Sequence, residues 1–464
     1  MISGQFRHSV ALRCLMPLAI VASLAYPTQA QFGFGGLNRI GVVGGVKIDA
    51  QGAVNNVSQL ERDGQLNALR QTVQQPIGNL ADKTELRMIS LSKLQSEIAR
   101  CVSEDKPLSE EVLFLAGLQR VEYVFVYPEQ HDIVLAGPAE GWVVRQDATV
   151  VGQTSGRPVL HLEDLLVALR STEASREQAI SVSIDPTPEG EARLNRLLAQ
   201  FRATGSSVNP AAMEGAMREA FGPQMVTLTT VANDSRTAQT LVAADYRMKR
   251  LAMNLEESPV VGLPSYLSMI RDRNAGQGVQ PRWWMACDYD AILHSQDRLA
   301  WQLTGTGIKA MTEDELVDLQ GARTGTGRAN KMAQRWADLF TEKFDELCVH
   351  NAAFGDLRNV MDLAIVATVI SGHQLEQVAG CEIGLLKGQA GQLPTPSWET
   401  PKTITPECSF IRGQTGWVVS ASGGVEINPW QVVSQRAKSD DGVLAVYARA
   451  TQHGAAGNGE TWWW

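Results

Sequence analysis

The chain reads as an α+β (mixed α/β), multi-domain protein: a mixed sheet layer with packed helices, a mainly helical segment and a small β-rich C-terminal part. Three observations carry that expectation. Between Val121 and Ile184, short β-rich runs alternate with helical segments. Between Ser235 and Ile370, apolar residues recur at helical spacing over long stretches. After Gly380, prolines and glycines multiply and helical spacing fades.

Met1 to Ala30 is read as an export leader. Arg7 and Arg13 give a positive start, Cys14 to Tyr26 is apolar, and Thr28 and Ala30 are the small residues a signal peptidase needs. Gln31 to Gly36 is a glycine-rich lead-in. Val42 to Val57 reads as a hairpin turned by Asp49-Ala50-Gln51-Gly52. Helical spacing follows in Ser58–Val73 and Thr84–Val102, and Ser109-Glu110-Glu111 opens a short helix with acids in its first turn. Strands are expected at Val121–Tyr127, Asp132–Ala136, Gly141–Arg145 and Ile180–Ile184, with helices at Leu162–Arg170 and Pro188–Phe201. Gly205-Ser206-Ser207 reads as a linker and Pro223–Val231 as a strand.

Ser235–Asn254 is a helix capped by Asp234 or Ser235. A short helix begins at Gly262-Leu263-Pro264-Ser265, and Arg282–Cys287 and Leu299–Leu303 are strands. Thr312-Glu313-Asp314-Glu315 has the capping-box pattern of a helix start. Lys331–Val349 is one amphipathic helix, and Asp356–Ile370, apolar nearly all round, is expected to be buried on most sides. Leu393 to Pro401 reads as an extended linker, followed by short strands at Cys408–Ile411, Gly416–Ser420 and Gly424–Asn428. The segments divide into a leader (1–30), a β-hairpin with helices (31–105), a mixed α/β domain (106–232), a mostly helical α+β domain (233–375), and a linker with short strands and a Trp-ended tail (376–464).

Composition narrows the function classes. Removing Arg7 and Arg13 with the leader takes the net charge from −9 to −11, so general nucleic-acid binding is not expected. After the leader the best membrane candidate is Val360–Ile370, too short to span and interrupted by Asp362. Five cysteines remain: Cys101, Cys287, Cys348, Cys381 and Cys408. In an oxidising compartment a Cys381–Cys408 bridge would close the Gly/Pro-rich loop and add roughly 3 kcal/mol. Five buried thiols are the alternative.

The motifs supply little chemistry. Gly305-Thr306-Gly307-Ile308-Lys309-Ala310 has a loose dinucleotide-loop form but lacks the downstream acid, and is read as a turn. Ser90-Leu91-Ser92-Lys93 lacks the companion triplets of its catalytic form. Cys348, His350, His373 and Cys381 lack paired zinc spacing. No cofactor, metal or catalytic set is therefore assigned. The binding candidates are Asp245, Arg247, Lys249 and Arg250 on one helix, with Lys249 placed to pair with Asp245 on a solvated face; Asp288 and Asp290, one side of a strand; and Trp462, Trp463 and Trp464. Three large rings on a glycine tether must leave water, either on the protein's own surface or on a membrane, polysaccharide or partner.

Ala244-Asp245-Tyr246-Arg247-Met248-Lys249-Arg250-Leu251 followed by Gly262-Leu263-Pro264-Ser265-Tyr266, the stretch Phe354–Ala364, Ile184-Asp185-Pro186-Thr187-Pro188-Glu189-Gly190 and the Gly44 hairpin together resemble an uncharacterised family of exported planctomycete proteins, a domain of unknown function. The resemblance implies export and a shared fold, and carries no catalytic residues. The resulting expectation is a non-catalytic binding or assembly protein of the cell envelope, with an unknown protein or envelope component as partner. The alternative is a hydrolase using aspartate acid/base chemistry.

Overall fold

The computed structural model describes residues 46–48, 53–56, 73–204, 210–270, 279–318, 320–389, 393, 395–406, 411–413, 416–418, 422–456 and 461–464. The leader, the Gln31–Gly36 lead-in, the hairpin turn, the Ser58 helix (all but Val73), the Gly205 linker and Cys408 lie outside them.

In chain order the elements are β1 (Val46–Ile48), β2 (Ala53–Asn56), β3 (Thr84–Ser90), α1 (Leu91–Ser103), α2 (Glu110–Leu113), β4 (Tyr123–Tyr127), β5 (Asp132–Ala139), β6 (Trp142–Val144), β7 (Val150–Gly152), α3 (Leu162–Ser171), α4 (Ala174–Glu177), β8 (Ile180–Pro186), α5 (Pro188–Thr204), α6 (Pro210–Phe221) and β9 (Gln224–Thr229). Then come α7 (Arg236–Ala252), α8 (Tyr266–Ile270), β10 (Val279–Asp288), β11 (Ala291–His294), β12 (Ala300–Thr304), β13 (Gly307–Val317), β14 (Arg323–Gly325), α9 (Lys331–Glu342), α10 (Phe344–His350), α11 (Ala352–Gly372) and α12 (Leu375–Ala379). The chain closes with β15 (Thr403–Ile404), β16 (Ile411–Gly413), β17 (Gly416–Val418), β18 (Gly423–Ile427), α13 (Pro429–Arg436), β19 (Ala437–Ser439) and α14 (Val443–Ala456).

The fold is α+β. One sheet runs β1-β2-β15-β9-β8-β18-β10-β13-β14 and a second β19-β11-β12-β4-β5-β3. Pairing is antiparallel except at β2–β15, β10–β18 and β11–β19. The chain leaves the first sheet after β10, makes β11 and β12 in the second, and returns as β13. Asp288-Tyr289-Asp290 and Gly305-Thr306-Gly307 are the two crossing points. The second needs glycine: Gly305 has φ +98°, and a Cβ there would sit 2.8 Å from the Asp290 nitrogen. This strand-to-strand turn is what the dinucleotide-like pattern encodes.

Helix α11 explains its own sequence. Phe354, Leu357 and Met361 pack in the core beneath the first sheet, while Leu363, Val366 and Ile370 pack in the core beneath the second. A helix with apolar neighbours on both sides is apolar all round.

Several expectations are corrected. Thr84–Ser90 is a strand and only Leu91 onward is helix: Leu86 and Met88 face one side of the sheet and Ile89 the other, a two-residue period that the three-residue spacing of Leu86 and Ile89 disguised. The Thr312 helix start lies inside β13, whose register with β10 runs from Gly307 to Leu316 and overrides the local capping pattern. The Lys331 helix breaks at Lys343. Helix α6 and the C-terminal α13 and α14 were not expected. Strands from each of the four expected segments beyond the leader join these two sheets, and residues 32–464 form one compact unit. The two sheets thus span the boundaries expected at 105/106, 232/233 and 375/376. The Leu393–Pro401 linker is anchored rather than free, with Leu393, Pro396 and Pro401 buried.

Candidate functional site

Strand β3 is the edge of its sheet, and exposed edges invite pairing. The C-terminal residues fill that edge. Trp463 lies antiparallel to Ile89. The Ser90 amide donates to the Trp462 carbonyl at 2.9 Å, the Met88 amide to the Trp464 carbonyl at 2.9 Å, and the Trp464 amide to the Met88 carbonyl at 3.1 Å. Trp462 is buried and the other two rings are half-buried. The tail thus docks on the protein's own sheet.

Helix α14 brings the chain back to this edge. Val443, Val446, Tyr447 and Ala450, at helical spacing, cover Phe125, Tyr127 and Met88 together with Trp464. The Tyr447 hydroxyl donates to the Val126 carbonyl at 3.0 Å, and its ring stacks on Tyr127.

Between the tail, β3, β4 and α14 lies a cleft of about 840 Å³. Trp463, Trp464, Tyr123, Leu86, Met88 and Val446 supply aromatic and apolar wall. Asp82, Glu85 and Glu122 face Lys83, Arg87 and Arg449 around it, so its charges balance. Arg87 is fixed in place: its guanidinium donates to the carbonyls of Ala116, Asn79 and Asp82 at 3.2, 3.0 and 3.1 Å and lies 4.9 Å from the centre of the Trp463 ring. The Trp463 indole N–H reaches a Glu111 carboxylate oxygen at 3.4 Å. The Trp464 indole N–H is buried and has no acceptor among the described residues. Burial raises the Glu122 carboxyl and the Tyr123 phenol above their ordinary values.

The acidic and basic candidates lie elsewhere and are engaged in structure. Lys249 and Asp245 do pair, at 2.9 Å, but on a buried face rather than the solvated one expected. Lys249 also donates to the Ile184 carbonyl at 2.7 Å, tying α7 to β8. Burial pushes the Asp245 carboxyl up to about 6, against the pull of Lys249. Arg247 and Arg250 both pair with Glu256. Asp288 pairs with Lys309 at 3.4 Å and Asp290 is exposed. Tyr289 between them is buried and donates to Asp362 at 2.7 Å, where Arg120 also binds at 2.7 Å. The cleft does not include Asp245, Asp288 or Asp290. Ser90, from the serine–lysine pattern, caps α1 by accepting the Lys93 amide at 3.1 Å. Cys381 is buried, and since Cys408 lies outside the described residues the bridge stays an expectation. Among the described residues no cluster of three or more His, Cys, Asp or Glu side chains could hold a metal, and no helix is long and apolar enough to cross a membrane.

Of the candidate residues, Trp463 and Trp464 line this cleft, and the residues of its opposite wall were not among them. Arg87 sits in the segment read as helix. Glu122 and Tyr123 open a strand that was expected, yet nothing in the sequence pairs them with a tail more than 300 residues away.

No curated protein and no solved structure matches the chain. Residues 182–266, from β8 to the start of α8, match the family described as protein of unknown function (DUF1598); the Asp245–Lys249 pair falls within that stretch, and the cleft falls outside it.

Proposed function

We propose that the chain is an exported, non-catalytic binding protein of the cell envelope, and that the cleft beside Trp463 and Trp464 takes a neutral, hydroxyl-rich polysaccharide. The observation that carries this reading is the pair of C-terminal indoles, on a backbone hydrogen-bonded to an edge strand, lining a cleft whose charges cancel. The volume falls within the roughly 300–1,000 Å³ of ligand sites. Sugar rings offer apolar C–H faces to indoles, and their hydroxyls both donate and accept among alternating acids and bases. A buried indole N–H without an acceptor suits a ligand hydroxyl. A polyanion gains no net attraction there, because Asp82, Glu85 and Glu122 offset Lys83, Arg87 and Arg449. A pocket lined by two of Asp245, Asp288 and Asp290 would favour the hydrolase alternative, and these aspartates sit in ion pairs, a crossover or solvent.

Native electrophoresis through gels containing dextran, hydroxyethyl cellulose or alginate tests the reading. The chain should be slowed by at least one neutral polymer and not by alginate, and Trp463→Ala with Trp464→Ala should abolish the effect. Unchanged mobility in both neutral gels would remove the proposal.

A further inference from the structure

We infer that a second cavity, between helix α3 and the start of α7, binds a small carboxylic acid bearing a hydroxyl or amino group, with the acid held by Arg170. The cavity is about 230 Å³. At roughly 30 Å³ per water this holds about eight non-hydrogen atoms, which excludes a polymer. Glu163, Val167 and Arg170 line it from one face of α3, at helical spacing of four and seven. At 1.5 Å per residue the two charged residues are about 10 Å apart along the axis, one toward each end of the cavity.

The two arginines of this cavity differ. Arg236 is saturated, paired with Asp164 and, at 3.0 Å, with Asp356. Arg170 has no carboxylate partner among the described residues; its Nε donates to the Leu386 carbonyl at 3.3 Å, and its Nη2 is buried without an acceptor. An unfilled buried donor on a charged group is costly, and a carboxylate accepting two parallel N–H bonds is the anion that fits a guanidinium best. Burial depresses the Arg170 charge, as expected of a cation lacking its counterion. At the other end Glu163 accepts one hydrogen bond from the Trp398 indole, and burial pushes its carboxyl up to about 7. A carboxyl that keeps a proton for part of the time near neutrality can donate to, or accept from, a ligand hydroxyl. Gly388, at φ +74° and 3.4 Å from the Arg170 Nε as judged from a Cβ placed there, holds the loop close behind the guanidinium. The inference is independent of the polysaccharide cleft.

The test is calorimetric titration of the full chain with lactate, glycolate and L-serine, and with propane-1,2-diol as the same scaffold lacking the acid. The chain should bind at least one of the three acids and not the diol, and Arg170→Gln should weaken binding at least tenfold while Arg176→Gln, on the surface against Trp430, leaves it unchanged. Should Arg170→Gln not fold, Arg170→Lys keeps a cation but loses the fork, and must still show weaker binding. Equal affinity in a folded Arg170 variant, or no binding of any of the three acids up to about 50 mM, overturns the inference.

Discussion

Replacing Arg236 by methionine should destabilise the fold by about 3–5 kcal/mol at pH 7.5, the cost of stranding a buried ion-pair partner. Arg236 is 5% exposed and stands between Asp164 and Asp356, each 3% exposed. It therefore joins α7 to α3 and to the central α11. Without it, Asp164 keeps one hydrogen bond, from Thr237 at 2.8 Å, and Asp356 loses its ion-pair partner. Burial already raises the Asp356 carboxyl against the pull of Arg236, so removing the cation raises it further. A carboxyl whose folded value lies above its unfolded value opposes folding once both states would ionise, so the penalty grows as pH rises and shrinks as pH falls toward 5. Guanidinium titrations at pH 7.5 and pH 5 read this directly. Adding Asp164→Asn and Asp356→Asn to the methionine variant should restore most of the loss, because the uncompensated charges are then gone. A loss below about 1 kcal/mol at pH 7.5, or one that deepens in acid, would refute the reasoning.

Deleting residues 462–464 removes one buried and two half-buried indoles and should cost about 3 kcal/mol; it should also speed amide exchange at Met88 and Ser90 while Phe125, in an inner strand, stays protected. Equal exchange at all three would show that the tail does not occupy the edge. For export, material from envelope fractions should begin at Gln31 by N-terminal sequencing, and a chain beginning at Met1 in every fraction would contradict it.

The fold class was legible because period and burial coincide in most elements: β8 alternates buried and half-buried residues, and α7 carries an apolar stripe with the Ser235 cap. It failed where a non-local partner outweighed a local pattern. Thr312-Glu313-Asp314-Glu315 satisfies a helix cap, yet Glu313 lies opposite Arg282 across the β10–β13 ladder, and Glu315 binds Arg323 at 2.9 Å. Helix α14 was legible and overlooked: Val443, Val446, Tyr447 and Ala450 keep helical spacing among the glycines. The basic run Arg247-Met248-Lys249-Arg250 looks solvent-facing because local sequence cannot show that Glu256 and the Ile184 carbonyl wait for it. The tryptophans announced that they must leave water. Only the fold shows the edge strand that receives them and the charges that complete the cleft.

Indole oxidation with N-bromosuccinimide, read residue by residue by mass spectrometry with and without the polysaccharide that slows the chain, tests the location of binding most directly. Trp463 and Trp464 should be shielded by the polymer while Trp284, half-buried beside Arg282 on the other sheet, reacts unchanged. A chain that is slowed by the polymer while both C-terminal indoles oxidise as fast as before would place the ligand elsewhere.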